Sequence, residues 1–458
     1  MDTTTGNELA IKPVGKLVVK YAIPSIISLV VTALYNIVDQ IFIGNAVGYL
    51  GNGATNVVFP ITIIQHGLAM LLGCGCGAFL NIRLGQGKQR DAEKGVGNTI
   101  VVLIAMAIIL TVLCYAFVEP LVRLFGATEG ILPYALDYGK IIIVGFPFVI
   151  MYTGFNQIIR ADGNPHMAMI SMLSGAILNV ILDYIFVFVL PWGVKGAALA
   201  TIIGQAVSFF ISLIFIFKLK HVKLDRKCFR MEGRIIGDVV GIGTSSFITQ
   251  AAIVVYTAVM NNVLVQYGAQ SVYGSDIPIA AIGVVMKVNA VLINIVIGIV
   301  IGGQPLISYN YGAKNFKRVK QAFKTVVLLS IIISIFAFIA FQLFPEGISE
   351  IFGKENEMYT EFAVKCFRIV LLLCIPNAFQ LVSGIFIQSI GKPTLAILIS
   401  LSRQLIFLIP AILIMSHFFG IEGALWGFPL ADALAFILAV ICTICELNKM
   451  KGVQINEQ

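Results

Sequence analysis

Charge is scarce in this chain. Of 458 residues, 12% are Asp, Glu, Lys or Arg, about half the ~25% of an ordinary soluble protein. Tryptophan occurs twice and histidine four times, and no group of His, Cys, Asp or Glu has the spacing of a metal site. A P-loop, a dinucleotide fingerprint and a nucleophile–base set are all missing, so no enzyme class is supported and no cofactor is expected. The glycines of GCGCG at 73–77 lie inside an apolar run, where small residues let helices approach one another. A soluble basic face is lacking too, which excludes a nucleic-acid partner. The start, MDTTTGNELAIKPVGK, has none of the charged, apolar and small-residue regions of a cleaved signal peptide, and the first apolar run is expected to stay in the membrane.

What is present is oil. The chain is 59% hydrophobic with a mean hydropathy of +0.96, more apolar surface than a soluble core could bury. Apolar runs fall at about 17–43, 55–81, 96–118, 134–158, 166–190, 194–217, 237–265, 277–302, 319–344, 361–387, 394–415 and 421–445, each near the ~20 residues that span a bilayer as a helix. The expected fold is an all-α polytopic membrane protein of twelve transmembrane helices. Charge tests the count: 23 of the 31 basic residues fall at the termini and in alternate connections, among them Lys12, Arg83, Arg160, Lys314 and Lys392, with seven in 218–234 alone. The opposite connections hold Arg123, Lys195 and Lys354 amid eight acids. Such segregation predicts that the basic side and both termini face the cytoplasm, and the net charge of +8 reads as topology together with attraction to an anionic leaflet of the bilayer.

The polar stretch KLKHVKLDRKCFRMEGR at 218–234 divides the chain into similar parts. GCGAFLNIRLGQGK (75–88) aligns with GGQPLISYNYGAK (302–314), IIRADGNP (158–165) with IQSIGKP (387–393), and WGVKGA (192–197) with FGIEGA (419–424), always 227 or 228 residues apart. A six-helix N-lobe (1–217), a linker (218–234) and a six-helix C-lobe (235–458) are expected. Two parallel repeats of this kind are related by an axis along the membrane normal, and transporters built so bind at the repeat interface.

Two ionisable residues stand out within the oil. The fifth run, SMLSGAILNVILDYIFVFVL (171–190), carries Asn179 and Asp183, four apart and so on one helix face. The first run carries Asp39 at a similar depth, 22 residues past Leu17, as Asp183 is 17 past His166. Intramembrane acids are costly and mark ion or substrate paths or internal partners; two of them at one depth in one lobe could share a proton. Asn36 and Gln40 add neutral hydrogen-bonding groups nearby, and Pro24 either lets the first helix bend or simply kinks it. In the C-lobe, Lys287, Arg403 and Asp432 lie within runs. Either Asp432 pairs with one of the two cations and holds the lobe together, or Lys287 or Arg403 faces the cavity and tunes the charge of what binds there. Met286, Phe155, Phe247, Met151 and Met260 are candidates for an adaptable apolar wall.

VDQIFIGNAVG in the first helix, IIRADGNP followed by GAILNVILDYIFVFVLPWGVKGAALAT, and GGQPLISYNYGAKN after the eighth resemble the multidrug and toxic compound extrusion (MATE) transporters over nearly the whole chain, with wording similar to the MepA-type bacterial branch. The resemblance implies a monomeric exporter in the bacterial cytoplasmic (inner) membrane that exchanges H+ or Na+ for small amphipathic, often cationic, drugs by alternating access. It also implies a cation site at Asp39, Asn179 and Asp183, with Tyr138 beside it. The C-lobe acids of another branch are missing: the seventh helix offers Gln250 and no acid, and the tenth offers none. Proton coupling through the N-lobe is therefore expected over a C-lobe Na+ site of oxygen ligands, with N-lobe Na+ binding as the alternative. A lipid-linked oligosaccharide flippase of the same superfamily would need a cationic cavity, for which Lys287 and Arg403 are the candidates. An ion channel would conduct without exchange.

Overall fold

A computed structural model describes residues 8–47, 49–274, 276–350 and 357–456, with the side chains of 36, 40, 44–46, 49, 52, 276 and 451–456 outside the description. Residues this apolar must satisfy their backbone donors and acceptors without water, and the helix does so within one segment. No strand occurs among the described residues. The spanning helices are α1 (Val14–Val47), α2 (Tyr49–Gly85), α3 (Gln89–Ala116), α4 (Leu132–Val144 with Phe146–Ala161), α5 (Pro165–Asp183, continued by Tyr184–Val189) and α6 (Gly193–Ile216). The second half repeats the set as α7 (Gly233–Gly268), α8 (Asp276–Gly312), α9 (Phe316–Leu343), α10 (Glu357–Val370 with Cys374–Ser389), α11 (393–419) and α12 (421–456).

Among the described residues, nine helices are long and apolar enough to cross a bilayer, and the bent pairs that form α4 and α10, each turning by 50°, make eleven. The stretch Pro393–Met450 counts as one of the nine at 58 residues. At ~1.5 Å per residue it would reach about 87 Å, nearly three hydrocarbon thicknesses. Gly420 (φ 63°, ψ −142°) breaks it, so α11 and α12 cross separately and the twelve expected spans are present.

The repeat seen in the sequence is a repeat of backbone geometry. Gly163 (φ 85°) and Gly391 (φ 72°) turn the chain into α5 and α11, whose first residues are Pro165 and Pro393. Proline suits that position because the amide it lacks has no helical partner there. Gly193 (φ 57°) matches Gly420 (φ 63°), and Gly87 (φ 72°) matches Lys314 (φ 56°), the one non-glycine described with positive φ. Short helices Val118–Leu124 and Pro345–Glu350 follow α3 and α9 in the two halves. Pro24 lies inside an unbroken α1, where Ser28 donates to its carbonyl at 2.6 Å.

The halves meet through glycines. A methyl on Gly75 of α2 would lie 2.2 Å from the Val239 carbonyl oxygen of α7, and one on Gly302 of α8 would lie 2.5 Å from Cα of Ala22 in α1. Near the basic face Gly85 and Gly312 seat α2 and α8 against each other's backbone. Arg83 pairs with Asp238 across the same seam at 2.9 Å, and Arg318 donates to the carbonyls of Leu9 and Lys12 at 3.0 and 2.7 Å. These approaches run from mid-depth, where Gly67 faces Gln250, to the basic face, which is closed. Packing crosses the seam too: Leu17, Val18 and Tyr21 of α1 belong to the apolar core of the second half, and Ile235, Val239 and Ile242 of α7 to that of the first.

The segment between α6 and α7 is tied down rather than loose. Asp162 accepts from the backbone amide of His221 at 2.9 Å and from that of Lys220, and Asn98 donates to the carbonyls of Cys228 and Arg230, both at 2.9 Å. Arg90 grips both Asp225 oxygens at 3.0 and 2.9 Å.

Candidate functional site

α1 brings Tyr35 and Asp39 to one face, four residues apart, and α5 does the same for Asn179 and Asp183. Asp183 ends the α-helical part of α5; beyond it the next six residues, Tyr184–Val189, wind as a π-helix, a distortion common at functional positions. The carboxyls of Asp39 and Asp183 lie close enough to interact with each other, and Asn179 is close enough to interact with Asp183. Tyr35 and Tyr138, the latter from α4, lie within electrostatic reach of both. Asn179 donates to Thr201 of α6 at 3.4 Å.

Asp183 is 0% exposed and Asp39 9%. Neither oxygen of Asp183 receives a hydrogen bond, nor do Oδ1 of Asp39 and Oδ1 of Asn179. Two buried carboxylates side by side, with no cation beside them among the described residues, would repel across a short distance in a poorly polarisable medium. The arrangement accommodates one shared proton between the acids, or a small cation among the oxygens. Beside it a narrow recess, with room for about one or two water-sized spheres, lies between α1, α4, α5 and α6, lined by Thr32, Tyr35, Tyr152, Met172, Asn179 and Gln205 among others.

Four of the expected residues, Asp39, Asn179, Asp183 and Tyr138, thus come together. Asn36 and Gln40 have side chains outside the described set. Gln250 is elsewhere, on the seam opposite Gly67. Lys287 is exposed and, among the described residues, has no acidic partner. Arg403 is bound to Asp432, its Nε 2.7 Å from Oδ1, the internal pair that was one of the two readings. Both line a small cavity within the second half, with Tyr256, Met286, Asn289 and Asn377. Phe155, Met151 and Met260, three of the candidates for an adaptable wall, are instead buried in the packed cores.

Tyr35 escaped the sequence reading, although its place four residues before Asp39 was a usable signal. Thr201 gave none. Arg160 needs a correction: counted with the basic connections, it is in fact 3% exposed and turned into the protein.

The MatE family model matches residues 24–185 and 245–414. The chain belongs to the MATE family. Its members are transporters and not enzymes, and the chain is a multi-pass membrane protein of a bacterial transporter family engaged in multidrug efflux. The multidrug export protein MepA of Staphylococcus aureus is 26% identical over 431 residues, 94% of this MATE chain and 93% of MepA. A MOP superfamily transporter from Pyrococcus furiosus has the same fold, with a TM-score of 0.91 at 21% identity over 98% of this chain and 100% of that one. A multidrug resistance MATE family transporter solved in an outward-facing conformation also gives 0.91 at 21% identity, over 99% and 100%.

Proposed function

We propose that this MATE protein is a drug/H+ antiporter, exporting amphipathic, often cationic, organic compounds across the bacterial cytoplasmic membrane by alternating access. The observation that carries the reading is the neighbouring pair of buried acids, Asp39 and Asp183, three of whose four carboxyl oxygens are buried without a hydrogen-bond partner. A proton held between them neutralises one charge; a cationic compound drawn toward the same negative charge competes with it, so loading one expels the other. Tyr35 and Tyr152 give the recess aromatic faces for a cation. The basic face is cytoplasmic, both termini are inside, and the halves 1–217 and 235–458 rock about the 218–234 linker in a monomer. Closed at the basic face, the conformer is not the inward-open one. Entry of each proton is driven by ~2.3 kcal/mol per 100 mV, plus any pH difference.

Na+ coupling is the second reading, favoured by one observation: Asp39, Asp183 and Asn179 lie near one another and each buries at least one oxygen without a hydrogen-bond partner, and hard cations take oxygen ligands. The test is ethidium efflux from loaded cells expressing the parent, Asp39→Asn or Asp183→Asn, at several pH values with and without Na+. Proton exchange predicts that both variants lose coupled efflux and that the parent follows the pH gradient. Parent rates in both variants would remove the acid pair from the mechanism; efflux restored by Na+ alone at fixed pH would replace the proton.

A further inference from the structure

Among the described residues, Arg160 has no acid beside it. It is the next-to-last residue of α4, 3% exposed; its Nη2 reaches the Ser28 hydroxyl at 3.2 Å and the Met172 sulfur at 2.9 Å, while Nε has no partner. Its electrostatic neighbours are the Cys74 thiol and the Tyr152 hydroxyl, with no carboxylate among them. A buried cation in this condition is costly unless an anion accompanies it.

Opposite, across the seam between the halves, lies Gln304 of α8, 8% exposed, whose Nε2 also lacks a partner. Gln157 turns its Nε2 to the Met70 sulfur at 3.2 Å, a weak acceptor. Between these donors is a small cavity, bordered further by Gly73, Gly77 and Pro305; the two glycines let α2 lie close against α4, where a methyl on Gly73 would be 3.0 Å from Cα of Gly154 and one on Gly77 3.2 Å from Cβ of Ala161. The space takes about one water-sized sphere.

We propose that this cavity is a binding site for a small inorganic monovalent anion of chloride size, held between Arg160 of one half and Gln304 of the other. The donors set the sign of the ligand, and the space excludes phosphate, sulfate or a lipid headgroup. Because the two donors belong to different halves and face each other where the seam is closed, the anion favours the conformer closed at the basic face. Parting of the halves there separates the donors and releases it. Chloride then acts as a third ligand of the conformational cycle, independently of what drives it.

The test uses the full-length protein in nanodiscs, with chloride exchanged for gluconate at constant ionic strength and the melting temperature followed. A ligand that binds the folded state alone stabilises it saturably, so the melting temperature rises to a plateau with chloride. Arg160→Gln abolishes that rise, and Gln304→Leu, which keeps the charge, moves half-saturation to several-fold higher chloride. In crystals soaked with bromide, an anomalous peak appears between Arg160 and Gln304. The same chloride response in the parent and in Arg160→Gln, no halide response at all, or bromide only elsewhere would overturn the assignment. Should Arg160→Gln fail to fold, the Gln304→Leu titration and the bromide map decide it.

Discussion

Replacing Gly85 by alanine isolates the seam from everything else. Its new Cβ would sit 2.0 Å from the Tyr309 carbonyl oxygen and 2.7 Å from the Ala313 nitrogen, against an ordinary contact of 3.4 Å or more. Both obstacles are backbone, so no rotamer change relieves them, and α2 and α8 must part by about 1.4 Å at the basic face to restore normal contact distances. Overpacking of this kind costs about 1–3 kcal/mol. The cost falls on the conformer closed at that face and disappears once the halves separate, so the closed-to-open ratio drops by about 5- to 150-fold. Spin labels at the exposed positions 86 and 317, in a background freed of native cysteines, report the separation by pulsed electron resonance. The Gly85→Ala distribution gains a longer-distance population, and Gly312→Ala, which meets the Ile82 carbonyl oxygen at 2.1 Å, does the same. Gly87→Ala is the control: it strains a turn of φ 72° but meets nothing within 4 Å, and it leaves the distance unchanged. A folded Gly85→Ala protein whose distances superimpose on the parent's would refute the account of the seam.

In the second half, Asp432→Ala strands the Arg403 guanidinium and should lower stability by about 3–5 kcal/mol, whereas the double change Arg403→Met with Asp432→Leu should recover most of it; thermal unfolding in detergent compares the two, and equal losses would contradict the pairing. In the linker, the Cys228 thiol and the Arg90 guanidinium hold the Asp225 carboxyl down at about 2, from an ordinary 3.8. A depressed carboxylate contributes its stabilisation above the unfolded pKa and loses it as pH falls toward the folded one, so protease protection of 218–232 is full at neutral pH and fades between about pH 4 and pH 2. Asp225→Asn should show the weakened protection already at pH 7, and unchanged cleavage would rule out the clamp.

Much of the architecture was legible because the bilayer leaves a sequence few options. Twelve apolar runs, charge on alternate connections and a 227-residue offset between Gly75 and Gly302 or Gly85 and Gly312 lead directly to two similar halves, and the offset reappears as paired positive-φ turns. The bends inside α4 and α10 leave no mark in hydropathy, but a proline follows each break, Pro147 just past Gly145 and Pro376 just past Leu373, and that was the usable signal. The meeting of Asp39 with Asp183 followed from equal depth on helices of one half, a matter of counting residues. Arg160 could not be placed that way. Its position beside a turn reads as a solvated connection, and only the packing of Ser28, Met172 and α8 around it turns the side chain inward.

The central claim, one proton held between two buried acids, is tested most directly by infrared spectroscopy of the purified protein in lipid at neutral pH. The account predicts a protonated carboxylic-acid C=O band that is absent from Asp183→Asn, absent or shifted in Asp39→Asn, and bleached when ethidium is added. A parent spectrum without that band, or a band that both variants retain unchanged, would contradict it.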